Sequence, residues 1–181
     1  MSTTEKLNNT TIFLHWIIAI TIISLMSIGW YMSEFKAYGL YDIHKSVGIL
    51  MFLIIVYRVA WRLKHGFPEP IGEAQTYELI LAKVVHWILL AGSLLFPLSG
   101  MLMSGAGGHG LYVFGFELLA ENPHPETGRA MALNKTLAEW GSQMHGLLFW
   151  VLLIALLLHV GGALKHHFIY KDRTLKRMLG K

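Results

Sequence analysis

The chain has 181 residues, 54% of them hydrophobic and only 14% charged, with a formal net charge of +4. A soluble domain carries about a quarter charged residues, so this composition points to a membrane protein. The absence of cysteine excludes disulfides, thiolate zinc sites, iron–sulfur clusters and covalently attached haem, and leaves the 10 histidines as the main ligand supply.

Residues 1–10 are polar and read as a frayed start. The apolar run over 11–32 is longer than a signal-peptide core and has no small-residue cleavage site. It predicts the first membrane span, with His15 and Trp16 near its start and Trp30 and Tyr31 near its end. A polar connection leads to a second span over 44–63, which opens on His44 and carries Arg58 and Arg62 near its end. Residues 64–78 hold two prolines, two glycines and several charges, and predict a loop. The third span covers 79–103, with Lys83 and His86 in its first turns and Pro97 and Gly100 as expected kink points.

Residues 104–140 form the longest connection, expected as a lid on the membrane surface with short helices. A fourth span over 142–166 and a basic tail over 167–181 complete one membrane domain. The fold class is therefore an all-α membrane protein, a four-helix transmembrane bundle. Lysine and arginine concentrate in the N-terminus, the 58–83 region and the tail. The positive-inside bias then places both termini in the cytoplasm and the lid outside. Basic residues lie beside apolar spans rather than in a separate patch, so they read as topology signals and not as a nucleic-acid surface.

The fourth span carries His145 and His159 inside its apolar run. At 1.5 Å and 100° per residue, their spacing is about 21 Å along the axis and about 40° short of four whole turns. Both imidazoles thus leave nearly the same face, one toward each membrane surface. Intramembrane histidines are expensive and functional by default. Span direction sorts the others by depth: His44 is outer with His145, and His15 and His86 are inner with His159. Neutral imidazoles on facing helices suit axial ligation of haem, and haem b is the form that needs no cysteine. Adding one spacing to His44 reaches Arg58, which would offer a guanidinium to an inner haem propionate. Adding it to His15 reaches Gly29, which leaves the first helix small at the outer level. The plainer reading of Arg58 and Arg62 is a pair of snorkelling topology charges. Lys83 and His86 are the candidates for holding a quinone carbonyl on the inner side.

The segments FLHWI at 13–17, DIHKSVGI at 42–49, VYRVAWRLKH at 56–65, VHWILLAGSLLFPLSG at 85–100 and the whole of 144–179 resemble the bacterial cytochrome b561 family. These are small dihaem membrane cytochromes, related to the cytochrome b subunits of formate dehydrogenase and nickel–iron hydrogenase. The resemblance covers nearly the whole chain and implies His15 with His159, and His44 with His145, as iron ligands of two haem b groups. It disfavours His86 as a ligand. It further implies electron transfer across the bacterial inner membrane, within a respiratory chain, to ubiquinone or menaquinone. One activity in the family is superoxide:ubiquinone oxidoreduction, with superoxide oxidised outside. Two other readings compete: a haem-binding anchor for a soluble dehydrogenase or other redox protein, and a histidine-relay proton transporter. The transporter would need carboxylates inside its spans, and no Asp or Glu lies in a predicted span interior.

Overall fold

A computed structural model describes residues 6–71 and 75–181. Four long helices make up the bundle: α1 (Asn9–Phe35), α2 (Tyr41–His65), α3 (Thr76–Ala106) and α4 (Lys135–Lys165). All four are long and apolar enough to cross a membrane. Each begins or ends where side-chain chemistry permits. The Asn8 side chain accepts from Thr10 N and opens α1, and Lys36 closes it in the left-handed region at φ 53°. Glu78 accepts from Gln75 N at the start of α3, and Asn134 accepts from Leu137 N at the start of α4.

The core is layered by depth. Met26, Phe96, Leu148 and Leu152 form one buried cluster, and Ile18, Met51 and Ile55 a second. Large apolar side chains such as Phe13, Leu53, Leu147 and Trp150 are exposed on the outside, as a lipid-facing surface requires. The seam between α3 and α4 is the closest. A Cβ on Gly141 would lie 2.5 Å from Met103 N, and one on Gly92 would lie 2.7 Å from Leu152 Cδ2. Backbone cannot yield as a flexible side chain can. Gly141→Ala is therefore expected to cost about 1–3 kcal/mol by prising the helices apart. A lower melting temperature of the purified protein, larger than the shift for Gly92→Ala, is the measurement that checks it.

The connection after α3 corrects the expectation of short helices. It forms an antiparallel hairpin, β1 (Leu111–Val113) and β2 (Phe116–Leu119), and the polar stretch from Lys135 belongs to α4 itself. The turn is Phe114-Gly115, with φ 49° and 87°. Two positive φ values in a two-residue loop match the twist of the flanking strands, and glycine takes the second at no steric cost. The hairpin is pinned to α2 through Ser46, which is 1% exposed. Its hydroxyl donates to the Tyr112 carbonyl at 3.4 Å and accepts from Phe114 N at 2.9 Å. Lys45 donates to the His109 carbonyl at 3.3 Å and sits over the Tyr112 ring.

At the opposite end, α4 runs into a π-helical turn, His166–Tyr170, and then the short α5 (Thr174–Met178). Lys165 and Tyr170 both donate to the Glu78 carboxylate, which joins α4 to the start of α3. The Trp16 indole donates to the Met178 carbonyl at 2.7 Å, so the tail folds back onto α1 and both termini lie at one end of the bundle.

Candidate paired-histidine site

The four helices bring histidines together at two levels. At the termini end the His15 and His159 ring centres are 6.0 Å apart; at the hairpin end those of His44 and His145 are 6.5 Å apart. Two metal–nitrogen bonds of about 2 Å, plus about 1.1 Å from each nitrogen to its ring centre, separate collinear axial imidazoles by about 6.2 Å. Both pairs fall close to that span. His86 lies 5.1 Å from His159, about 1 Å short of what collinear ligation demands, and its ring also packs against Phe67.

The hairpin-end pair is built from small residues. A Cβ on Gly29 would lie 3.2 Å from His44 Cε1, and one on Gly100 would lie 3.1 Å from His145 Cε1. Gly29 thus leaves room for the His44 imidazole. The space beside Gly48 and Gly146, one turn from His44 and next to His145 in the chain, is open. His145 Nδ1 faces the Phe96 carbonyl at 3.0 Å and the Ser99 hydroxyl at 3.1 Å, while Ser99 itself donates to Phe96. A carbonyl only accepts, so the His145 proton sits on Nδ1 and Nε2 keeps its lone pair for a metal. The Phe96 ring stacks on His145 at 4.3 Å. His44 Nδ1 is buried with no hydrogen-bond partner, a cost that a bare helix bundle gives no reason to carry.

The termini-end pair has charge beside it. Arg58 Nη2 is 3.3 Å from His15 Nδ1, and Nη1 donates to the Leu14 carbonyl at 3.4 Å. Arg62 donates to the Gly66 carbonyl at 2.8 Å and lies over Phe67. The Trp16 ring meets His15 edge-on at 5.3 Å. Lys83 is on the exposed side of α3, one turn before His86. Sequence reasoning missed Ser46, Phe96, Ser99 and the role of Trp16. Each acts through a neighbour distant in the chain, and only Ser99, in the third span's Pro-containing turn, carried any local signal.

Among the described residues no group of three or more His, Asp or Glu converges to hold a bare metal ion. Each imidazole pair therefore fits a cofactor that brings its own equatorial ligands.

Below this level the tail is held by a carboxylate. Burial raises the Asp172 pKa, but hydrogen bonds from His166 and Thr174 outweigh it and hold the group below its ordinary value. A depressed carboxylate stabilises the fold above its unfolded pKa and loses that contribution as pH falls through the folded one. Limited proteolysis of the tail should accelerate once pH drops below the carboxylate range, and Asp172→Asn should show the faster cleavage at neutral pH.

Four membrane-spanning helices with two opposed imidazole pairs at two depths define a multi-pass helical-bundle redox protein. The chain belongs to the prokaryotic cytochrome b561 family, whose pattern matches residues 6–181. It is 33% identical to cytochrome b561 homolog 2 of Escherichia coli (strain K12), over 99% of this chain and 94% of the relative. It is 28% identical to homolog 1 of the same organism, over 97% of each. A probable superoxide oxidase CybB of Yersinia pestis is 26% identical, over 98% of this chain and 97% of the relative. Membership makes this an electron-transfer protein of the bacterial inner membrane that carries haem b.

Proposed function

We propose that the chain moves electrons across the membrane between two haem b groups, His15–His159 and His44–His145, and exchanges them with a quinone. The observation that carries this reading is the separation of the two ring pairs, 6.0 and 6.5 Å, at two depths of one bundle. The cofactor, when bound, supplies reversible one-electron chemistry; the chain supplies its position and its electrostatics. His145 is pre-set for ligation by Phe96 and Ser99. His15 is not: ligation through Nε2 puts the ring proton on Nδ1, where it can no longer accept from Arg58. The guanidinium is then free for an anionic partner, and a propionate is the group that would need it.

The basic end carrying both termini is the cytoplasmic one by the positive-inside rule, so His15–His159 is the inner pair. Quinone exchange belongs at this inner level, which has two flanks: His86 and Lys83 on α3, and Trp16 on α1. The hairpin end is the donor side. Superoxide is the proposed donor, supported by the name of the Yersinia pestis relative. Two superoxide ions would each give up one electron and leave as dioxygen. Those two electrons and two protons from water turn one quinone into quinol. With both axial positions filled by imidazole, the donor would react without binding iron.

The test is an optical spectrum of oxidised and reduced protein with haem quantified per chain, followed by addition of a short-chain quinone. Two low-spin haems per chain, reoxidised by quinone, are expected. One haem under ample haem supply ends the two-centre reading, and reduced haem that quinone leaves untouched ends the quinone reading.

A further inference from the structure

The hairpin end of the bundle is acidic. Residues 33–45 and 104–140 hold four cations, Lys36, Lys45, Arg129 and Lys135, against six carboxylates. Such an end repels an anion at long range, so the charge met close to the histidine pair decides whether an anionic donor arrives. The structure separates the four cations. Lys135 is largely exposed and lies 3.9 Å from the equally accessible Glu139 carboxylate, one turn along α4. Lys36 stands exposed beyond the last turn of α1, and Arg129 is exposed in the loop that follows the hairpin. Lys45 is half-buried and directly follows His44 in α2. Its ammonium donates to the His109 carbonyl at 3.3 Å and lies 5.8 Å from the Tyr112 ring centre. The hairpin that supplies the ring is itself fixed to α2 by the Ser46 hydroxyl. Among the described residues no carboxylate forms an ion pair with Lys45. Asp42, one turn earlier, is exposed, and Glu117 accepts instead from the Tyr112 hydroxyl.

We propose that Lys45 is the specificity-determining residue for the electron donor, and that it selects a small anion over a cation at the His44–His145 pair. The inference rests on the function proposed above and names the residue that recognises the donor's charge. A carbonyl and a ring face hold a cation in place without cancelling its charge, which a carboxylate would do. An ammonium has three donors, and the His109 carbonyl takes one of them. The others remain for an acceptor such as superoxide. The position is set by two independent restraints. Lys45 is the next residue after His44 on one helix, and the hairpin holds its side-chain tip. The charge therefore stays at the level of the outer pair, whereas Lys36, Arg129 and Lys135 lie on exposed segments at the periphery of that end.

The experiment uses the haem-loaded full chain in vesicles with the hairpin end outward, an orientation checked by protection of the tail from added protease. Haem reduction is timed with two membrane-impermeant reductants of opposite charge, the dithionite radical anion and the cobalt(II) sepulchrate dication, and separately with superoxide. The readout is the ratio of the anion rate to the cation rate. Both reductants meet the same haem, so a change in its potential alters the two rates together and leaves the ratio alone. Lys45→Gln is expected to lower the dithionite and superoxide rates about four-fold at low salt, the factor that one unit charge at about 5 Å in water produces. The cobalt rate should rise, and the difference should shrink as salt is added. Lys45→Arg should restore the ratio, and Lys135→Gln should leave it unchanged. An equal fall with both reductants overturns the inference, because Lys45 would then act through structure or potential alone. An unchanged ratio in Lys45→Gln, or a loss confined to Lys36→Gln, Arg129→Gln or Lys135→Gln, overturns it as well. Failure of superoxide to reduce the unaltered protein would instead fell superoxide as the donor, while the dithionite–cobalt ratio still decides the role of Lys45.

Discussion

His159→Ala is expected to remove one of two haems and leave the other low-spin. The reason lies in which residues can substitute for which. His15 has a neighbour at its level, His86, whose ring is 5.1 Å from His159 and could move into a vacated ligand position. His15→Ala is therefore an ambiguous experiment. His159 is in ring contact with both His15 and His86, and no ring contact joins those two among the described residues, so its loss leaves neither of them a facing imidazole. The other pair stands one long helical stretch away, beyond Met26, Phe96, Leu148 and Leu152, and is held by its own glycines and by Phe96 and Ser99. Its spectrum should survive. His145→Ala should give the mirror result, with the remaining haem showing the other potential. Full low-spin haem in His159→Ala would refute the ligand assignment.

Arg58→Leu is expected to lower the potential of the inner haem by roughly 50–100 mV. A reduced centre carries one more electron than an oxidised one, so a fixed positive charge nearby favours reduction. At roughly 8 Å and an effective dielectric constant of about 20, one charge contributes about 2 kcal/mol, which is on the order of 90 mV for one electron. At the hairpin end, His44 and His145 are in ring or hydrogen-bond contact with each other, Phe96 and Ser99, none of which carries a fixed charge. The inner haem should therefore be the higher of the two in the unaltered protein, and the gap should narrow in the variant. Arg58→Lys should keep most of it. A redox titration unchanged by Arg58→Leu would make the residue a topology charge and no more.

The four spans were legible because each is a long apolar run with few charges, and the depth of each histidine followed from the direction of its span. The hairpin was not legible. LYVFGFELL has no alternation to mark it as strand, and its turn puts Phe114 in a conformation that phenylalanine seldom adopts. The early start of α4 was partly legible: KTLAEW, being polar, reads as a short helix of the lid, whereas Asn134 caps it as the first turns of α4 itself. Gly29 was marked by the sequence repeat as a small position at the outer level. The ring beside it is that of His44, a neighbour on another helix that the repeat did not identify. Gly100 was read only as a kink point, and its neighbour is the His145 ring, for which it leaves space. The tail contact was beyond reach from sequence, because nothing local ties Trp16 to a residue 162 positions later.

That last contact bears on how the protein is made. Trp16 leaves the ribosome with α1, before the three later spans. Its partner, Met178, is synthesised only after all four helices. Until then the indole faces lipid or water, and the contact forms only after every span has been made. A fusion partner attached directly after Lys181 would load the very segment that has to fold back, so such fusions are poor reporters of native assembly.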